Sequence, residues 1–171
     1  WNGSGWTEVG DLNKGRSNST AAGTATAALA IGGVYNPGEL ALTEIWNGSG
    51  WTETGDLNTA RNNANGGGTT TSAILAGGLT TAPLAITETW NGSSWTEVNA
   101  LNTGNKNQAM AGGSPAATQF GGGPPVRDNT ESWNGTSWTE VADQNTGRQQ
   151  VSGFGTATAC LAVGGTTNPS D

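Results

Sequence analysis

The sequence predicts an all-β fold: a propeller of four repeats of about 44 residues, with four antiparallel strands in each blade. Three observations predict it. The phrase WNGSGWTETGDLNTAR at 46–61 returns as WNGSGWTEVGDLNKGR (1–16), WNGSSWTEVNALNTGN (90–105) and WNGTSWTEVADQNTGR (133–148). The first tryptophans of these phrases, Trp1, Trp46, Trp90 and Trp133, lie 45, 44 and 43 residues apart, a period that belongs to propellers and solenoids. Each repeat also carries an apolar run that closes on Gly-Gly, which supplies a further strand beside the tryptophan hairpin. The chain reads as one domain over 1–171, with repeat units at 1–45, 46–89, 90–132 and 133–171.

The hairpin is the best-specified element. Asn-Gly between strand-like residues is the strongest short hairpin signal, because both residues can take the positive φ of a type I′ turn. Trp46 and Trp51 then share a face with Glu44 and Glu53, whether the loop has two residues or four, since the two registers differ by an even shift. A four-residue loop sets Trp46 opposite Trp51, an aromatic pair worth up to about 1 kcal/mol. It also sets Glu44 opposite Glu53, and likewise Glu88 opposite Glu97 and Glu131 opposite Glu140. Like charges directly opposed destabilise a sheet, so something must offset them. Arg16, Arg61 and Arg148 recur ten residues after each second tryptophan, while the third unit has Asn105 and Lys106 there. A guanidinium can bridge carboxylates, and Arg-to-Glu contacts inside or between blades are expected.

The apolar strands are AALAIGG (27–33), SAILAGG (72–78), ATQFGG (117–122) and CLAVGG (160–165). The strands that enter the internal hairpins read LALTEI (40–45), LAITET (84–89) and VRDNTES (126–132). TTNPSD (166–171) resembles VYNPGE (34–39), where such a strand is about to begin. The first hairpin, with Glu8, is therefore expected to lack its partner strand, either because the array is longer or because one blade is completed imperfectly. The start at Trp1 without Met points to a processed product or a segment of a longer chain. A larger propeller and a β-solenoid are the architectural alternatives, and the Gly-Gly strand with a paired hairpin favours radial blades.

Composition bounds the partners. Thirteen Asp and Glu against six Lys and Arg leave a net charge of −7, which opposes nucleic acid and an anionic bilayer. No apolar run of about 18 residues and no signal-peptide pattern is present, so membrane insertion is not expected. Only 11% of residues are charged and 29 are Gly, a bias that could be read as disorder. Eight tryptophans at fixed spacing argue otherwise, because a buried indole removes roughly 150–250 Å² from water, at about 25 cal/mol per Å². Cys160, the one cysteine, is expected to be a small buried apolar residue.

The Gly-Gly doublets Gly32-Gly33, Gly77-Gly78, Gly121-Gly122 and Gly164-Gly165, followed by tryptophan pairs and an arginine after a turn, resemble kelch repeats of galactose-oxidase-like central domains. Trp stands where kelch units usually carry Tyr, and the intervening turn is shorter. The WNGSSWTE arrays are also similar to repeats of phage and aquatic bacterial surface proteins. The resemblance implies a β-propeller used for binding or scaffolding. A galactose-oxidase-like copper site is not implied with it: histidine is absent and Tyr35 is the only tyrosine.

Paired carboxylates could serve glycoside hydrolysis, bind a cation, or be neutralised by arginine as part of the architecture. Recurrence in every complete hairpin favours architecture. Asp11, Asp56 and Asp143 add oxygen ligands that could suit Ca2+, without an EF-hand spacing, and no other cofactor is suggested. Flat indoles pack blades or stack on sugars; Trp1, Trp46, Trp90 and Trp133, beside the turns, are the candidate ligand-binding residues. Asn2, Asn18, Asn47, Asn91 and Asn134 start N-glycosylation acceptor patterns, although turn chemistry already accounts for those in the hairpins.

Three functions follow as expectations. The first is a non-enzymatic structural or interaction module of an extracellular or virion-surface assembly, a fibre, appendage or adhesin, with protein partners that include further copies of itself. The second is a lectin-like propeller that binds glycan. The third is a carbohydrate-active enzyme with one pocket in the propeller mouth, which needs one blade to depart from the rest. The third unit does depart, with Phe120, Pro124-Pro125 and Arg127, and reads better as a specialised edge or contact.

Overall fold

The computed structural model describes residues 1–167, and the residues it describes form strands, turns and loops without a helix. The first sheet orders β1 (Thr20–Thr24), β2 (Ala27–Ile31), β5 (Thr43–Trp46) and β6 (Trp51–Glu53). A short ribbon, β3 (Val34–Tyr35) with β4 (Gly38–Glu39), interrupts the path from β2 to β5. The second sheet is β7 (Asn65–Gly68), β8 (Ala73–Ala76), β9 (Thr87–Trp90) and β10 (Trp95–Val98). The third is β11 (Ala109–Gly113), β12 (Ala116–Phe120), β13 (Thr130–Trp133) and β14 (Trp138–Val141). β15 (Gln149–Thr156) and β16 (Ala159–Thr166) then pair as a two-stranded ribbon.

All pairings are antiparallel, and the indoles fall into the four-residue register: Trp46 faces Trp51, Trp90 faces Trp95 and Trp133 faces Trp138. The turn itself differs from type I′. The asparagines are not in the left-handed region; Gly48, Gly92 and Gly135 are, at φ of 95°, 100° and 95°. The Oδ1 of Asn47 accepts from the backbone N–H groups of Ser49 and Gly50 at 2.9 and 3.0 Å, and Asn2, Asn91 and Asn134 do the same. The asparagine thus stabilises the loop through its side chain, an Asx turn that leaves its own φ ordinary.

The sequence units and the sheets are out of phase. Each four-stranded sheet takes its first strands from one unit and its outermost strand, β6, β10 or β14, from the next, so the boundary falls at the indole turn rather than between these sheets. None of the three four-stranded sheets is confined to a single unit. Neighbouring sheets pack through apolar clusters that cross between them. Leu29, Ile31 and Leu57 meet Leu75, Trp90 and Trp95, while Ile74 and Leu101 meet Met110, Trp133 and Trp138. The indole N–H of Trp95 donates to Thr43 Oγ1 and that of Trp138 to Thr87 Oγ1, each at 2.9 Å, which ties β10 and β14 to the preceding sheet, whereas Trp51 of β6 donates to the Gly10 carbonyl at 3.1 Å. Burying one such indole contributes roughly 4–6 kcal/mol by area.

Glycine sets how closely the inner strands approach. A Cβ on Gly67 of β7 would lie 2.2 Å from the Gly112 carbonyl oxygen of β11, so backbone meets backbone with no room for a side chain. The inner strands β1, β7, β11 and β15 line one open cavity of about 610 Å3. At its end a chain of backbone hydrogen bonds links equivalent residues, Asn63 to Asn18 at 3.0 Å, Asn107 to Asn63 at 3.2 Å and Gln150 to Asn107 at 2.8 Å. All four of these residues hold φ between 51° and 56°.

Candidate functional site

The repeated chemistry converges on one buried carboxylate per complete sheet. Glu44, Glu88 and Glu131 sit mid-strand in β5, β9 and β13, opposite Glu53, Glu97 and Glu140. The first of each pair is buried and the second exposed to water, so the opposed charges occupy different media. The loop that precedes each sheet closes over the buried carboxylate. For Glu88, Asn58 donates its backbone N–H at 2.8 Å and its side-chain amide at 2.7 Å, and Arg61 forms an ion pair. For Glu44, Asn13 donates twice, at 2.7 and 2.9 Å, Lys14 adds its N–H, and Arg16 forms the ion pair. Both guanidiniums are buried, which bears out the expected Arg-to-Glu contacts at these two sites, although each pairs with one carboxylate rather than bridging two.

The third site solves the same problem without arginine. Asn102 donates to Glu131 at 2.9 and 2.7 Å, and Gln119 Nε2 lies 3.5 Å from the same carboxylate. Asn105, at the arginine position, bonds Gln119 Oε1 and the Gly121 carbonyl. Gln119 replaces the Ala30 and Leu75 of the other sheets, so an amide on β12 fills the space a guanidinium takes elsewhere. Arg148 is different again: it donates to the Gly164 carbonyl at 3.2 Å and meets no carboxylate among the described residues. Among the described residues, β16 has no strand of the Thr-Glu-x-Trp type beside it.

Burial pushes the Glu44 carboxyl up, but the amide hydrogen bonds from Asn13 and Lys14 and the Arg16 charge outweigh it, and the group titrates below the ordinary carboxylate value. Burial lowers the Arg61 pKa, an effect only partly opposed by Glu88 and Glu97. These carboxylates are engaged from several sides at once, which suits holding a loop on a sheet.

The predicted ligand-binding indoles divide. Trp46, Trp90 and Trp133 are buried and offer no face to a sugar, a correction to the expectation that residues beside the turn face solvent. The turn is exposed, but the ring folds back on its partner at centroid separations of 5.4–5.5 Å. Trp1 is 65% exposed and Trp6 86%, their rings tilted at 46° with centroids 5.7 Å apart and neither residue in a strand. Asn2, Asn18, Asn47, Asn91 and Asn134 are all exposed, and Asn18 also accepts the Asn63 backbone N–H. Cys160 is exposed rather than buried, because among the described residues β16 pairs with β15 alone and no entering strand covers this position.

Among the described residues no group of three or more Asp, Glu or Cys could hold a metal ion, and Asp56 instead accepts the Thr43 N–H at 3.4 Å. Phe120 packs with Val151 between the third sheet and β15, and the Arg127 carbonyl receives the Arg148 N–H at 2.9 Å. The departures of the third unit thus gather around the last strands. Most of TTNPSD, the stretch expected to lead up to such a strand, falls on 168–171, outside the described residues. Sequence reading missed the clamp asparagines Asn13, Asn58 and Asn102 and the indole acceptors Thr43 and Thr87. Their signal was present, since an asparagine stands seven residues after every second tryptophan. In comparisons with known proteins, no family model matches this chain and no curated protein matches it.

Proposed function

We propose that this chain is a non-enzymatic structural and interaction module of an extracellular or virion-surface assembly, built as a kelch-like β-propeller of four repeats. One observation carries the functional part: the repeated chemistry-bearing groups, Glu44, Glu88 and Glu131, are consumed in fastening loops to sheets. Four inner strands around one cavity, joined through the Asn18, Asn63, Asn107 and Gln150 backbone bonds, support the radial arrangement. Display outside a cell or on a particle rests on the similarity of the repeats to surface-protein arrays and on the low charge. Immunogold labelling of source cells and particles with antibodies raised against the chain tests it. Label on exterior filaments or virions is the expected result, and label confined to the cell interior contradicts the proposal.

A glycan-binding reading has its own support in the adjacent exposed rings of Trp1 and Trp6. A glycan array probed with the chain and with Trp6→Ala tests it, and absence of any Trp6-dependent signal removes it.

A further inference from the structure

We propose that the amide-rimmed end of the inner strands binds a single uncharged sugar ring, held by carboxamides that the fold itself leaves unpaired. The inference goes beyond the assembly reading. It uses neither Trp1 nor Trp6, so it also stands apart from glycan binding at the exposed indoles.

The site is built from four equivalent positions. Asn18, Asn63, Asn107 and Gln150, one from each repeat unit, hold φ between 51° and 56° and rim a cavity of about 190 Å3 at the N-terminal ends of β1, β7, β11 and β15. Backbone hydrogen bonds of 2.8–3.2 Å between neighbours fix their spacing. Asparagine tolerates the left-handed backbone, which accounts for three of the four residues. Glutamine has no such preference, so at Gln150 an amide stands where the backbone does not ask for one.

Some of the amides around this cavity serve the fold. Asn65 Oδ1 accepts the Gly66 N–H at 2.9 Å, and its Nδ2 donates to the Gln108 carbonyl at 3.0 Å. Asn63 donates its side-chain amide to Asn62 Oδ1. The side chains of Asn18, Asn107 and Gln150 make no hydrogen bond among the described residues. Gln108, only 2% exposed, lines the same cavity; its Nε2 donates to the Ala76 carbonyl at 2.8 Å, while its buried Oε1 has no donor. A buried acceptor without a donor carries a desolvation cost that a ligand hydroxyl removes.

The lining decides the class of ligand. Among the described residues none that lines the cavity is charged, so an ion entering it would give up water without meeting a counter-charge. A carboxamide both donates and accepts, and so does each hydroxyl of a sugar. Ala64 and Val151 add apolar surface for the C–H face of a ring. At about 190 Å3 the cavity is smaller than the roughly 300–1,000 Å3 of drug-sized pockets, which suits one pyranose ring.

Heteronuclear NMR of the whole chain, produced in a host that does not glycosylate so that Asn18 stays unmodified, tests the proposal. The probes are the methyl glycosides of glucose, galactose, mannose and N-acetylglucosamine, added at up to tens of millimolar because so small a ligand binds on about the millimolar scale. At least one glycoside is expected to shift the side-chain amide signals of Asn107, Gln108 and Gln150 saturably. Asn107→Gly removes an amide while keeping the left-handed backbone accessible, and it should weaken that glycoside about fivefold, the size of a lost neutral hydrogen bond. Trp6→Ala should leave its affinity unchanged. Spectra that no glycoside alters, shifts confined to Trp1 and Trp6, or an affinity indifferent to Asn107→Gly overturn the proposal. So does the same pattern of shifts with potassium chloride alone, since the amide oxygens then hold a cation. Mapping on the unaltered chain keeps the test independent of how any variant folds. Particle labelling tests the assembly reading and the array with Trp6→Ala tests the exposed indoles, so each can fail without this site.

Discussion

Glu88 and Arg61 are both buried, and neither would be tolerated there alone. Replacing Glu88 by Gln leaves the guanidinium uncompensated and should cost about 3–5 kcal/mol in urea unfolding. Glu97→Gln, on the exposed partner across the strand pair, should change stability by less than about 0.5 kcal/mol. Acid should act on the same machinery through Glu44. Its carboxyl is depressed in the folded state, so its contribution is complete above the unfolded value, near 4.5, and is lost as pH falls through the lower folded value. The urea midpoint should therefore drop on acidification below about pH 4.5, and Glu44→Gln should flatten that drop. Asn105 and Gln119 form the third variation, in which two amides replace one guanidinium. The arginine partners of Glu44 and Glu88 were legible from the recurring Glu and Arg, and the amide partners of Glu131 were not. The asparagine clamp was not, because a side chain that bonds across about 30 residues leaves no mark in local periodicity.

At the level of the strand and the turn, the Gly-Gly doublet is a junction. Gly32 sits at φ 60° and a Cβ there would lie 2.7 Å from the Arg61 carbonyl oxygen, while Gly33 donates its N–H to that same carbonyl at 3.0 Å. Gly32→Ala should thus cost about 1–3 kcal/mol through strain and displacement of the clamp loop, read as a lower thermal midpoint. The indole pairs make a sharper contrast. Trp95→Ala removes a ring packed between two sheets and should cost about 3–5 kcal/mol, whereas Trp6→Ala, in an unpartnered hairpin, should leave the urea midpoint nearly unchanged. The shared face of the paired indoles was readable in advance because face alternation is local, while the choice between a two- and a four-residue loop was decided only by the structure. The turn type was misread, since Asn-Gly can serve either through backbone φ or through an Asx bond, and four residues suit the second. Sheet boundaries were misplaced for another reason: a tandem repeat has a period but no marked beginning, and which strand closes which sheet is decided by long-range pairing.

Across the whole molecule, the three four-stranded sheets are joined by two shared devices, a loop that clamps the next glutamate and an indole that reaches back to a threonine, and glycines bring β7 and β11 into backbone contact. The all-β repeat character was evident from the sequence. The exposure of Cys160 and the unmatched Arg148 were not, because both depend on a strand that lies beside the other apolar runs and not beside β16. Hydrogen exchange followed by NMR at individual amides measures the clamp directly. The backbone N–H groups of Asn58 and Asn102, bonded to Glu88 and Glu131 at 2.8 and 2.9 Å, should exchange as slowly as strand amides, and that of Asn145 at the rate of an open loop. Equal, fast exchange at all three positions would contradict the account.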